Sequence, residues 1–114
     1  MSNGSKTMYK DIIAISDGRQ DLFAWMTTHH PILPCTNRQA AYLAYKTTRD
    51  LKLNRLTEIT TVIECDGMIL FDDGCGGLVG DGVGTINYTV GRLTFRFDRI
   101  PANGTEVIAH YHKW

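Results

Sequence analysis

The chain has 114 residues, of which 43% are hydrophobic and 21% charged, and its twelve basic and twelve acidic side chains give a formal net charge of zero. This size and composition predict one soluble globular domain with a single core. The balanced charge argues against a nucleic-acid binder or a polybasic membrane-surface protein, since both classes normally carry a basic excess.

The absence of a targeting signal predicts an intracellular origin, where cysteines stay reduced. The polar N-terminal residues lack the apolar stretch of a signal peptide, and no run approaches the roughly 20 apolar residues of a membrane-spanning helix. We therefore expect assembly in the cytoplasm. Cys35, Cys65 and Cys75 are odd in number and lack CxxC spacing, so free thiols are expected.

The N-terminal half predicts short strands. Residues 1–8 form a predicted arm, and residues 9–114 form a single domain. Residues 9–15 are rich in β-branched side chains and end at a Ser-Asp-Gly turn. Residues 22–28 predict a second strand. Residues 30–34 contain two prolines, which indicates an edge or a connection.

The middle of the chain is less regular. Residues 40–48 fit either two helical turns or a strand, and the closing Thr-Thr pair favours the strand. Residues 51–55 predict a turn, and residues 56–64 a β-branched strand that Asp66-Gly67 turns into residues 68–71. Residues 72–84, with six glycines in thirteen positions, predict a loop.

The C-terminal residues predict two hairpins. Residues 84–89 form a short strand, and Val90-Gly91 reverses the chain. Residues 92–97 alternate strictly, which places Leu93, Phe95 and Phe97 inward and Arg92, Thr94 and Arg96 in water. Residues 98–104 predict a loop. The last strand, residues 105–112, presents Val107, Ala109 and Tyr111 on one side and Glu106, Ile108, His110 and His112 on the other.

These elements predict an all-β fold. No segment shows helical periodicity over three or more turns. Seven to eight short strands separated by turns are typical of a sandwich or barrel, and we expect an antiparallel β-sandwich, immunoglobulin-like or jelly-roll-like.

The glycine-rich segment and the histidines allow three kinds of chemistry. A phosphate-binding loop is excluded, because the G-x-x-x-x-G-K-[ST] pattern is absent. Asp72, Asp73 and Asp81 could bind calcium, although their spacing is not that of an EF-hand. His110 and His112, as exposed neighbours on one strand face, could bind zinc if Cys35 or His29 supplied a third ligand. The simpler interpretation is structural in each case, and we expect no cofactor or metal.

Enzymatic activity is not expected. Cys75 lies beside two aspartates, which raise a thiol's pKa and suppress its nucleophilic form. No Ser/His/Asp arrangement or H-E-x-x-H motif can be identified.

Candidate contact residues for a protein partner are aromatic or basic. Arg92, Arg96 and Arg99 lie on the water-facing side of one hairpin and belong either to a solvated surface or to a docking surface. Aromatic residues serve as core or as interface anchors. We expect partner contacts at Met8, Tyr9, Arg92, Arg96 and Trp114.

A series of motifs then gives a resemblance. Residues 70–74 read Leu-Phe-Asp-Asp-Gly and residues 76–80 read Gly-Gly-Leu-Val-Gly. They are followed by Gly-Thr-Ile-Asn-Tyr-Thr-Val-Gly at 84–91, the alternating strand at 93–97, and Ile-Pro-Ala-Asn-Gly-Thr-Glu-Val at 100–107. The series resembles a β-sandwich module of tailed-bacteriophage virion proteins, of the head-decoration, tail or baseplate type. Cys75, Val90 and residues 38–55 depart from its pattern.

The resemblance implies a fold and a setting, and no catalytic residue. It implies a multi-copy accessory subunit of the virion, assembled in the host cytoplasm, which docks on capsid or tail subunits and on copies of itself. From the balanced charge, we expect no contact with nucleic acid or membrane. The alternative is a receptor- or carbohydrate-binding module at the tail tip, which would stack exposed aromatic rings on sugars.

Overall fold

The computed structural model describes residues 7–27, 31–34 and 61–113. These residues form eight strands and contain no helix. The strands are β1 (Thr7–Ile15), β2 (Leu22–Met26), β3 (Val62–Cys65), β4 (Met68–Asp72), β5 (Gly77–Gly80), β6 (Gly82–Asn87), β7 (Arg92–Phe97) and β8 (Glu106–Lys113).

All eight strands belong to one antiparallel sheet. Their order is β1-β8-β3-β4-β5-β6-β7-β2, which places β1 and β2 at its two ends. The sheet curls until it nearly closes, because Tyr111 of β8 packs against Trp25 of β2 and bonds to Thr27 just beyond it. The predicted all-β, antiparallel architecture is confirmed.

Local sequence explains the tight turns and the alternation. Asp66 and Gly67 have φ angles of 52° and 78°, as a two-residue type I′ turn between β3 and β4 requires. In β7, Leu93, Phe95 and Phe97 are buried, whereas Arg92 and Arg96 are exposed. Both features confirm the sequence prediction.

The inner face of the sheet forms the core. Its aromatic centre is Phe23, which stacks on Phe95 at 5.4 Å between ring centroids and meets Phe97 edge-on. One aliphatic side chain from each of the strands β3 to β8 packs around it: Ile63, Leu70, Leu78, Ile86, Leu93 and Val107.

A short connection extends the core beyond the strands. In residues 31–34 the Ile32 amide donates to the carbonyl of Tyr88, and the Leu33 amide donates to the carbonyl of His112. Both side chains are buried. The prolines on either side are compatible with this path, since the connecting segment belongs to no strand. For these residues, the predicted connection is confirmed.

Two sequence predictions are wrong. Residues 72–84 are not a loop: they contain β5 and the start of β6, because glycine allows these strands to approach their neighbours closely. His110 and His112 are not exposed, with 3% and 9% of their surfaces accessible. Groups outside β8 contact both residues: the Glu64 side chain of β3 lies 2.7 Å from His110 Nε2, and the Leu33 amide donates to the carbonyl of His112.

Some predictions lie outside the described residues. These are the strand at 40–48, the turn at 51–55, most of the strand at 56–64, and the positions of His29, Cys35 and Trp114. The same holds for residues 1–6 of the predicted arm. Strand β1 begins at Thr7, so the backbone of Thr7 and Met8 pairs with β8.

Candidate functional site

The glycine-rich segment is held together by its own acidic side chains. Asp72 is fully buried, and its Oδ1 accepts hydrogen bonds from the Gly74 amide at 2.8 Å and from the Tyr88 hydroxyl at 2.7 Å. The Tyr88 oxygen in turn accepts a hydrogen bond from the Gly76 amide at 2.9 Å. This network fixes the β4–β5 connection to the end of β6.

The other two carboxylates of this segment also accept backbone hydrogen bonds. Asp73 Oδ1 accepts from the amides of Cys75 at 2.7 Å and Gly77 at 3.0 Å. Asp81 Oδ2 accepts from the Ile69 amide at 2.9 Å. Carboxylates engaged in this way stabilise turns, as aspartate does in many loops.

The described side chains form no metal-binding group. Within residues 7–27, 31–34 and 61–113, no three His, Cys, Asp or Glu side chains form a group that could hold a metal ion. His110 instead lies 2.7 Å from Glu64, through Nε2 and Oε2. The proposed third zinc ligands, His29 and Cys35, are outside the described residues.

A second polar cluster closes the sheet and was not predicted. Tyr111 is fully buried, stacks on Tyr9 of β1 at 5.5 Å, and packs at an angle on Trp25 of β2 at 5.7 Å. Its hydroxyl donates to Asp11 of β1, and the Thr27 hydroxyl lies 3.0 Å away. One side chain of β8 thus joins both ends of the sheet.

The sequence contains a signal for part of this cluster. Asp11 follows Tyr9 by two residues in a predicted strand, which places both on one face. A carboxylate on the inward face of an amphipathic strand requires a buried donor. Nothing local identifies Tyr111 as that donor, because the β1–β8 register depends on the folded sheet.

Burial and hydrogen bonding raise the pKa of both tyrosines. For Tyr88 and Tyr111 the main cause is desolvation, and the second is donation to Asp72 and Asp11, respectively. Burial likewise raises the pKa of the Cys65 thiol to about 11. All three groups are favoured in their neutral forms by the folded state.

Stability should therefore fall in alkaline solution. The stabilising effect of a raised pKa is complete below the unfolded-state value, which is about 9 for the thiol and about 10 for the phenols, and is lost as the pH rises above it. Urea denaturation between about pH 8 and 12 should show this decline. In Tyr88→Phe, the proton uptake linked to folding above pH 10 should be smaller by about one proton. An unchanged proton count in the variant would contradict the buried Tyr88–Asp72 bond.

The predicted contact residues do not form one cluster in the structure. Arg92 and Arg96 are exposed on the outer face of β7, and Arg96 Nε lies 3.9 Å from Asp21 Oδ2. Tyr9 is half-buried against Tyr111. For Met8 only the backbone is described, and Trp114 lies outside the described residues. Their roles as partner contacts stay predictions.

Arg99 has a structural role within the chain. Its guanidinium donates to the side chain and the carbonyl of Asp66, each at 2.6 Å. The Ala102 amide donates to the same carboxylate. The hydrogen bond from Arg99 is the main reason that the pKa of Asp66 lies below its usual range, and the hydrogen bond from Ala102 is the second. These contacts join the β3–β4 turn to the β7–β8 connection.

Comparison with known proteins was uninformative: no family model, curated protein or solved structure matches the chain. In the described residues, no helix is both long and apolar enough to cross a membrane.

Proposed function

We propose that this chain is a bacteriophage virion structural protein, a multi-copy accessory subunit of the decoration, cement, tail or baseplate kind. It docks on capsid or tail subunits and stabilises the particle, after assembly in the host cytoplasm. It is not an enzyme in this proposal and requires no cofactor. Many weak identical contacts suffice for such a role, since symmetric repetition converts modest interfaces into avidity.

The observation that carries the proposal is that the residues of the resembling motifs have structural roles in the fold. Asp72 of the Asp-Asp-Gly motif and Tyr88 of the motif at 84–91 form a buried hydrogen-bond network that holds a turn. The alternating strand β7 supplies core side chains. These are scaffold roles, which fit the sequence resemblance to a virion module and leave the surface free to contact neighbours.

We propose further that the curled sheet is a sandwich-type domain. In this description one layer is β1-β8-β3-β4 and the other is β5-β6-β7-β2, and the β4–β5 pair connects them at one side. The inner faces of both layers contribute to the same core, for example through Ile63 and Phe95.

The receptor-binding alternative receives less support. Sugar recognition by stacking needs an exposed aromatic face. Every aromatic side chain in the described residues is buried or half-buried, including Tyr9, Trp25 and Tyr88.

An add-back experiment tests the docking proposal. Tailed-phage particles assembled without this chain should bind the purified protein in co-sedimentation. The double variant Arg92→Glu/Arg96→Glu should bind the particles with an affinity lower by about tenfold or more, because charge reversal at an interface is strongly unfavourable. Both arginines are exposed, so the fold should be retained.

The matched control is Arg19→Glu, which reverses an exposed charge in the β1–β2 connection. It should bind particles as the unmodified chain does. Failure of the unmodified chain to bind, or an equal loss in both variants, would reject the proposed use of this surface.

A further inference from the structure

The sheet has a seam where β1 and β2 approach without being neighbours in the hydrogen-bonding order. Among the described strands, β1 pairs with β8 alone and β2 with β7 alone. We use the term seam for the outer surface along this junction. Tyr111 fastens it from inside through Asp11 and Thr27, so its two sides are held in a fixed relation.

Large apolar side chains line both sides of the seam. Ile12 and Ile15 of β1 are 57% and 62% exposed, and Leu22 and Met26 of β2 are 50% and 51% exposed. Single exposed apolar residues are ordinary, but four along one junction form a patch of the kind that marks protein interfaces.

Opposite charges border this patch. The strand register places Glu106 beside Ile15 on β8 and Arg96 beside Leu22 on β7. Six residues connect Ile15, the last residue of β1, to Leu22, the first of β2, so these two side chains lie at the same end of the seam. Across that end the order is Glu106, Ile15, the seam, Leu22, Arg96. Arg96 also lies 3.9 Å from Asp21, but both side chains are more than half exposed, and such a pair is weak.

We propose that the seam is the contact surface for a second copy of this chain, related by a twofold axis that runs along the seam. A rotation about that axis brings the β1 side of one copy over the β2 side of the other. Ile15 then faces Leu22 of the second copy, and Glu106 faces Arg96 of the second copy. Both contacts occur twice, as an isologous interface requires.

Charge complementarity selects a second copy over a different partner. A purely acidic surface would be repelled by Glu106, and a purely basic one by Arg96. At the end formed by Ile15 and Leu22 the seam is complementary to itself, with an apolar centre and a charged border, as in known interfaces. At the other end Lys10 and Arg92 are both basic and add no complementary pair. The zero net charge of the chain adds no long-range repulsion between copies. The inference is independent of the virion proposal, since it concerns the isolated protein.

Sedimentation equilibrium on the purified chain tests the proposal. We expect a monomer–dimer equilibrium with a detectable dimer by the time the concentration reaches roughly 100 µM. Leu22→Lys should weaken dimerisation by about 30-fold or more, because it buries a charge at the centre of the interface. Val79→Lys is the matched control, since Val79 is 37% exposed on β5, two strands away from Arg96 of β7, and it should change dimerisation by less than about threefold. A monomer throughout this range, or equal losses in both variants, would overturn the proposal.

A charge exchange tests the twofold arrangement itself. Arg96→Glu and Glu106→Arg should each weaken the dimer by about tenfold, because each places like charges face to face. The double variant should recover dimerisation to within about threefold of the unmodified chain. Thermal unfolding of each variant checks that the fold is retained. Additive losses in the folded double variant would show that these two residues do not face each other.

Discussion

Replacing Tyr111 with alanine should lower the free energy of unfolding by about 3–5 kcal/mol, as the loss of a fully buried aromatic ring does. Tyr111 is packed between Tyr9 of β1 and Trp25 of β2, so alanine would leave a cavity where the ends of the sheet meet. It would also leave Asp11 without the hydroxyl that donates to its carboxylate. Urea denaturation followed by fluorescence measures the change.

The control for this prediction is Tyr111→Phe, which keeps the ring and removes the hydroxyl. We expect a smaller loss, of about 1–2 kcal/mol, from the hydrogen bonds to Asp11 and Thr27. A loss below 1 kcal/mol in the alanine variant would contradict the assignment of Tyr111 as the residue that closes the sheet.

Replacing Gly84 with alanine should lower the free energy of unfolding by about 3 kcal/mol. A Cβ atom at this position would lie 2.4 Å from the carbonyl oxygen of Thr94 and 2.9 Å from Cα of Phe95. These are backbone atoms of β7, which cannot rotate away as a side chain can. Strand β6 would therefore have to separate from β7.

Thr85→Ala is the matched control for Gly84, since Thr85 is the next residue of β6 and is exposed. Its loss should stay within about 1 kcal/mol, the scale of one cross-strand side-chain pair. Chemical denaturation of both variants gives the comparison. Equal stabilities would show that the β6–β7 spacing is wider than described.

Local sequence predicted much of the C-terminal half. The alternation of β7 and the Asp66-Gly67 turn are properties of neighbouring residues, and both are found as expected. The position of β1 was predicted to within two residues. Such features need no knowledge of tertiary structure, because period-two patterns and turn residues act locally.

The errors arise where tertiary contacts decide. Strand β5 and the start of β6 were predicted as loop because glycine has a low strand propensity, whereas Gly84 is required by the backbone of β7. The burial of His110 depends on contacts with distant residues, such as Glu64 of β3. The closing cluster of Tyr111 and Asp11 joins residues 100 positions apart, which no local pattern can specify.

The two surfaces proposed for contact overlap. Arg96 lies beside Leu22 and Arg92 beside Met26, so both residues of the predicted docking pair border the seam. Leu22→Lys separates the two contacts, because it disrupts the apolar centre of the seam and leaves both arginines in place. The isolated protein tests the first contact, and particle binding tests the second, so the two proposals can fail separately.

The most direct test of the proposed function is the location of the chain in an intact particle. Electron cryomicroscopy of purified tailed-phage particles, with and without the gene for this chain, should show density for a curled antiparallel sheet at symmetry-related positions on the head or tail. That density should be missing from the deletion particles. If microscopy and mass spectrometry both show that the chain is absent from particles made with the gene, the account is contradicted.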